Sequence, residues 1–369
     1  MPHQTHGGEL VKRSEPKRRL WIRIALSYAL ALACLVWVFH DYDFSDLLRR
    51  VASMNLLLVA LAITCDALSF VCQGLRWRLL LRPFGSMSVL RATQAIYCGM
   101  FVNEVLPMKL GELLRVYLIW RWTSVKLGTV ATLIVIERLF DGFWLVTAFV
   151  LTMIFIPMPR RLIEAGDALG ALVLILIGLL IALSWRSTSL HAFARTQIRD
   201  GEHWPQRNPE GEAKRNSLAR RLARSLGPLL DRLGVELQVA ADSPSSLIAF
   251  ALSLLLVSLQ WLAFWLVMLA FGLPLSPLQG AAVFVIVHVG TSLPGTPGNI
   301  GSYQFFTVLG LTLFGVDKTS ATGFSLVAFI LLSTHICVLG FWAFRRSSLT
   351  LFGMRTELSE SLRRLKTDA

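Results

Sequence analysis

Asn103-Glu104-Val105-Leu106-Pro107-Met108-Lys109-Leu110-Gly111-Glu112-Leu113-Leu114-Arg115 sets two carboxylates, two cations, an amide, a proline and a glycine between two apolar runs. In a soluble loop such residues would carry no message. The rest of the chain forbids that reading: mean hydropathy is +0.60, 54% of residues are hydrophobic and 16% are charged, outside the soluble globular class. Near the centre of a bilayer each charge costs about 2.5 to 3.5 kcal/mol, so this stretch implies a protein-lined or water-filled cavity. Pro107 and Gly111 interrupt helix, and irregular backbone survives at depth only inside protein or beside such a cavity. The stretch reads as half of a binding site.

The fold class that follows is an all-α, polytopic transmembrane helix bundle. The net charge of +13 would also suit a nucleic-acid binder, but basic residues cluster at the ends of apolar runs without a recognition motif, so no nucleic acid is expected. Cytoplasmic retention of basic loops explains them better. The 5 cysteines all lie in apolar stretches with no paired spacing, which predicts buried small side chains and no metal site. Most of the 11 tryptophans lie near the ends of runs, as interfacial anchors do.

Residues 1–19 are polar and basic, a cytoplasmic tail. The apolar run 20–39 is long enough to cross the hydrocarbon as helix; its basic start resembles a signal peptide, but the run continues past Cys34 and is expected to stay uncleaved. An acidic loop and a short amphipathic turn near Asp46–Val51 precede a second span from Leu56 to about Val71. Arg76, Arg78, Arg82 and Arg91 then mark a cytoplasmic loop. The pieces on either side of Asn103–Arg115 are each too short for a confident crossing, so they read as a re-entrant or broken helix pair. A long span, 125–157, carries Glu137, Arg138 and Asp141 at its middle, and a further span is expected at 169–185.

Residues 186–244 form a basic cytoplasmic segment, with leucines and arginines at helical spacing between 218 and 233 that predict an amphipathic helix on the anionic leaflet. Ser243-Pro244 is a helix start for the next span, near 246–271. A second interrupted pair follows, 278–293 and 305–314, around Pro294-Gly295-Thr296-Pro297-Gly298-Asn299-Ile300-Gly301-Ser302-Tyr303-Gln304. A last span, 324–344, leads to a tail at 346–369. The halves are thus 20–185 and 245–345, with six full spans, two broken pairs and both termini cytoplasmic.

Both interruptions place Leu-Pro and then Gly after a short incoming run, and they enter from opposite sides. That is the pattern of an inverted repeat, whose broken helices meet at a substrate site; chance recurrence in a leucine-rich chain is the alternative. Backbone amides freed at a helix start attract anions, and Gly295, Gly298 and Gly301 permit close approach; a tight loop with no ligand is the plainer reading. Glu112 and Arg115 share a helical face, as do Glu137 and Asp141. Since Arg138 alone cannot neutralise Glu137 and Asp141, either a cation from the first hairpin joins them or one carboxyl is protonated. The same charges also suit a purely structural network. His288 and His335 stand alone in apolar runs, where structural hydrogen bonds are the simpler expectation.

Taken in order, Asn103-x-x-Leu106-Pro107-x-x-x-Gly111-Glu112-x-x-Arg115, Glu137-Arg138-x-x-Asp141 and Pro294-x-x-Pro297-Gly298-x-x-Gly301 resemble the flippase-like membrane family that includes the transmembrane part of lysylphosphatidylglycerol synthases. The resemblance covers about residues 20–345 and implies movement of a phospholipid or polyprenyl-linked lipid across the inner membrane. It implies as substrate-contacting positions Asn103, Glu104, Pro107, Lys109, Gly111, Glu112, Arg115, Glu137, Arg138, Asp141, Pro294, Gly295, Pro297, Gly298, Gly301 and Gln304, with no cofactor. The chain ends at Ala369, so the aminoacyl-transferase domain of the full synthases is not expected, and neither is enzymatic lysylation. Where many members carry an acidic residue after the second glycine motif, this chain has Gln304, so no proton role is assigned there. A membrane-embedded lipid-modifying enzyme using Glu137 or Asp141 as base, and a scaffold or regulatory subunit, are the alternatives.

Overall fold

The computed structural model describes residues 17–40, 42, 44–106, 109–155, 239, 243–292 and 296–347. The span expected at 169–185, most of the basic segment 186–244, most of both tails, and Pro107, Pro294 and Gly295 lie outside them. Every regular element among the described residues is helical. They are α1 (Lys17–Phe39), α2 (Phe44–Ala52), α3 (Leu56–Leu81), α4 (Val89–Val105), α5 (Leu110–Trp122) and α6 (Leu127–Phe155), then α7 (Pro244–Ala270), α8 (Pro277–Thr291), a 3-10 turn (Pro297–Asn299), α9 (Ser302–Thr312) and α10 (Lys318–Arg346).

Local sequence starts these helices in the expected ways. Asn55 caps α3 by accepting from the Leu57 and Leu58 amides, Ser276 and Gln279 form a capping box around Pro277 on α8, and Asp317 accepts from the Ser320 amide on α10. α7 begins at Pro244 as the sequence suggests. α3, α7 and α10 are long and apolar enough to cross a membrane. Their outward residues are large and apolar, among them Leu56, Leu57, Leu247, Ile330, Phe341 and Trp342, a belt that lipid solvates and water would not.

One difference from the sequence reading changes the site. α3 does not end near Val71 but runs to Leu81, so Arg76 is not a loop residue: it is fully buried inside the bundle. Trp77 is likewise buried rather than an interfacial anchor. The most extensive helix pairing is α3 against α7. Small buried residues Ser246, Ala249 and Ser253 line one face of α7, which lets the backbones approach, and the Ser245 hydroxyl donates to the Leu79 carbonyl at 3.0 Å.

Two hydrophobic cores form among the described residues. One gathers Trp77, Leu80, Ile96, Leu118 and Ile119 from α3, α4 and α5; the other gathers Phe264, Phe284 and Phe324 from α7, α8 and α10, with Phe271 just past the end of α7. α4 packs on α5 and α8 on α9, so each interrupted stretch closes a short helix pair. α4 also packs on α10 and on the 3-10 turn, which brings the two pairs together.

Candidate functional site

α4 and α5 cross where neither helix carries a side chain. A Cβ at Gly111 would overlap the Gly99 carbonyl oxygen, and one at Gly99 would press on Gly111. The first turn of α5 is held by Asn103, whose Oδ1 accepts from the Gly111 amide at 2.7 Å. Lys109 precedes that turn in the left-handed region, with φ of 53°. This conformation is uncommon for a residue with a side chain, and it sends the ammonium to the end of α8, where it donates to the carbonyls of Thr291 (3.1 Å) and Ser292 (3.0 Å). A cation at a helix C-terminus also meets its partial negative charge.

The second interruption is built similarly. Gly298 and Gly301 have φ of 59° and 93°, and the buried Gln304 accepts from the Gly301 amide at 2.7 Å. Thus the Gly111 and Gly301 amides are each taken by an amide side chain. Glu104 of α4 lies against Gly298, where a Cβ would stand 2.5 Å from its Oε2. The two interruptions therefore touch twice, through Lys109 and through Glu104.

Beside this junction lies a chain of ion pairs. Glu137 is fully buried on α6 and accepts from three side chains on two other helices: Arg76 (2.6 Å) and Gln73 (2.7 Å) of α3, and Arg115 (2.6 Å) of α5. Arg76 also pairs with Asp141 and donates to the Ser253 hydroxyl of α7 at 2.8 Å. Arg115, stacked 5.2 Å over the Trp77 ring, reaches Glu112 at 2.9 Å, and Glu112 pairs in turn with Arg138. Arg138 and Asp141 are 3.9 Å apart. The chain joins three guanidiniums, Arg76, Arg115 and Arg138, to three carboxylates, Glu112, Glu137 and Asp141. A cation from the first hairpin does join the pair on α6, and α3 supplies another.

Burial grades along this chain. The Arg76, Glu137 and Arg115 side chains are at most 5% exposed, whereas Arg138 is 51%, Glu112 28% and Asp141 26% exposed. The inner end fastens α3, α5, α6 and α7 together; the outer end is partly exposed. Beyond Arg76, α3 borders a cavity of about 1330 Å³ lined by Arg78, Arg82, Arg91 and Trp122.

The model of the lysylphosphatidylglycerol synthase transmembrane region matches residues 21–340. This chain belongs to that family. Its spanning helices fit: the lysylphosphatidylglycerol synthase transmembrane region is a membrane module, and the chain is a multi-pass membrane protein. A UPF0104 membrane protein of Methanothermobacter thermautotrophicus is 24% identical over 318 residues, which cover 86% of this chain and 90% of that relative. No solved structure matches.

Of the positions singled out in the sequence, Asn103, Glu104, Lys109, Gly111, Glu112, Arg115, Glu137, Arg138 and Asp141 converge with Gly298 on one region, while Pro297, Gly301 and Gln304 shape the turn beside it. Gln73, Arg76 and Ser253 belong to the same network and were missed. For Arg76 a signal existed: Leu79-Leu80-Leu81 continues the apolar run after it. His288 makes a local bond to the Phe284 carbonyl at 3.0 Å. Among the described residues no group of three or more His, Cys, Asp or Glu could hold a metal ion.

Proposed function

We propose that this protein moves a lipid with an anionic headgroup, a phospholipid or a polyprenyl-linked lipid, across the inner membrane, with both termini cytoplasmic. The observation that carries this reading is the half-exposed Arg138 at the outer end of a buried ion chain, beside the point where the two interrupted helix pairs meet. In this reading α4–α5 and α8–α9 are re-entrant pairs of an inverted repeat, and the headgroup travels along their junction. Its phosphate competes with Glu112 for Arg138, whose planar fork suits two phosphate oxygens. Lys109 spends two N–H groups on α8 and keeps the third for the headgroup.

The buried half of the chain stays closed during this exchange. Arg76 and Arg115 hold Glu137, so the charge that the headgroup displaces is the exposed one, where separation is cheap. Acyl tails run along the outer apolar belt. The protein acts as a transporter, not as an enzyme, because the proposed step exchanges ion pairs and breaks no covalent bond. Reconstituted vesicles carrying fluorescent phospholipid or labelled polyprenyl-phosphate test this. Protein-dependent loss of lipid asymmetry is the expected result, and no movement of either lipid class by folded protein would refute the reading.

A further inference from the structure

A second polar cluster lies apart from the ion chain, near the middle of two long apolar helices. Asp66 of α3 and His335 of α10 face each other, with Nε2 3.6 Å from Oδ2 and side chains 11% and 8% exposed. Neither ring nitrogen has a hydrogen-bond partner; the Leu332 backbone lies against the ring without a well-formed bond. The Phe70 and Tyr97 rings flank the imidazole at 5.5 and 6.2 Å.

Asp66 has no lysine or arginine partner among the described residues, in contrast to Glu112, Glu137 and Asp141. The titratable groups around it are Cys65 on its own helix, Tyr97 of α4, Tyr303 of α9 and His335 of α10. α7, the chief partner of α3, contains no titratable residue. A carboxylate beside a neutral imidazole would leave one uncompensated negative charge deep in apolar surroundings, a costly state. One added proton makes the pair neutral, whichever partner carries it.

We propose that Asp66 and His335 form an intramembrane proton-binding site that takes a single proton from water and returns it to water. The proton sits on Oδ2 or on Nε2; no other bond forms or breaks. Tyr303 connects this site to the second interruption. Its hydroxyl is buried without a partner and within electrostatic reach of Asp66, its ring lies 5.5 Å from Phe329 of α10, and it stands in the first turn of α9, two residues after Gly301. Loading the proton therefore changes the field at the turn that faces Glu104. Coupling of lipid movement to a proton gradient follows; that coupling, unlike the proton site, rests on the transport reading.

Dicyclohexylcarbodiimide modifies protonated carboxyls in apolar surroundings, so it reads the site directly. Full-length protein in detergent is labelled between about pH 5 and 9, spanning the histidine range, and mass spectrometry reads the peptide that carries residue 66. The expected result is labelling of Asp66 that declines as pH rises, with a midpoint displaced by about one unit or more in His335→Gln. An unlabelled Asp66 throughout, or an unmoved midpoint in folded His335→Gln, overturns the proton site. In vesicles an imposed pH gradient changes lipid movement by wild type and not by Asp66→Asn. Wild-type movement indifferent to the gradient overturns the coupling alone, and a wild type that moves no lipid removes the transport reading and the coupling while the labelling still decides the proton site.

Discussion

Both oxygens of the Glu137 carboxylate are used: Oε1 by Gln73 and Arg76, Oε2 by Arg115. Removing its charge leaves two buried guanidiniums short of a partner, a far larger loss than the original pair's net contribution. Glu137→Gln is expected to destabilise the protein by about 3 kcal/mol, read as a lowered unfolding midpoint in detergent. Glu112→Gln, at the exposed end, costs under about 1 kcal/mol in the same assay. Equal losses in the two variants would contradict the gradient of burial along the chain. At this scale the sequence was informative only where charges interrupt an apolar run, as Glu137, Arg138 and Asp141 do. Arg76 sat where a positive charge ordinarily marks the end of a span, and Asp66 was a lone acid with a partner distant in sequence. Neither can be recognised until α3 is placed against α6 and α10.

The existence of most helices was legible because hydropathy reports apolar length directly, and Ser243-Pro244 marked one start correctly. Boundaries were less legible: α4 begins at Val89 and α9 at Ser302, earlier than hydropathy alone indicates, because polar side chains such as Ser88 and Gln304 cap or close those turns. The crossing of α4 and α5 depends on two absent side chains. Gly111→Ala is expected to force the helices apart and cost about 1 to 3 kcal/mol. Gly128→Ala, where a Cβ meets nothing within 4 Å, is expected to be neutral or stabilising by up to about 1 kcal/mol. Thermal unfolding of the two variants side by side decides it, and a Gly111→Ala protein as stable as Gly128→Ala would refute the close crossing. Lys109→Met keeps the apolar stem and removes the tie to Thr291 and Ser292, so it should slow lipid movement more than it lowers stability.

At the scale of the whole molecule, the described residues form two apolar cores, an ion chain beside the junction of the interrupted pairs, and a separate Asp66–His335 pair. The resemblance to the family of the lysylphosphatidylglycerol synthase transmembrane region was visible from three ordered motifs and holds over residues 21–340. What the motifs did not show is the division of labour among the charges, since a buried fastening and an exposed contact use the same residue types. The most direct test compares two variants that break the same pair, Arg138→Ala and Glu112→Gln, for translocation of fluorescent phospholipid in reconstituted vesicles, with unfolding midpoints measured alongside. If Arg138 contacts the headgroup, Arg138→Ala slows movement about tenfold or more, the rate equivalent of one charge-assisted hydrogen bond, while Glu112→Gln keeps or raises the rate. If the pair is only a fastening, the two variants lose activity together in step with their stability, and the account is wrong.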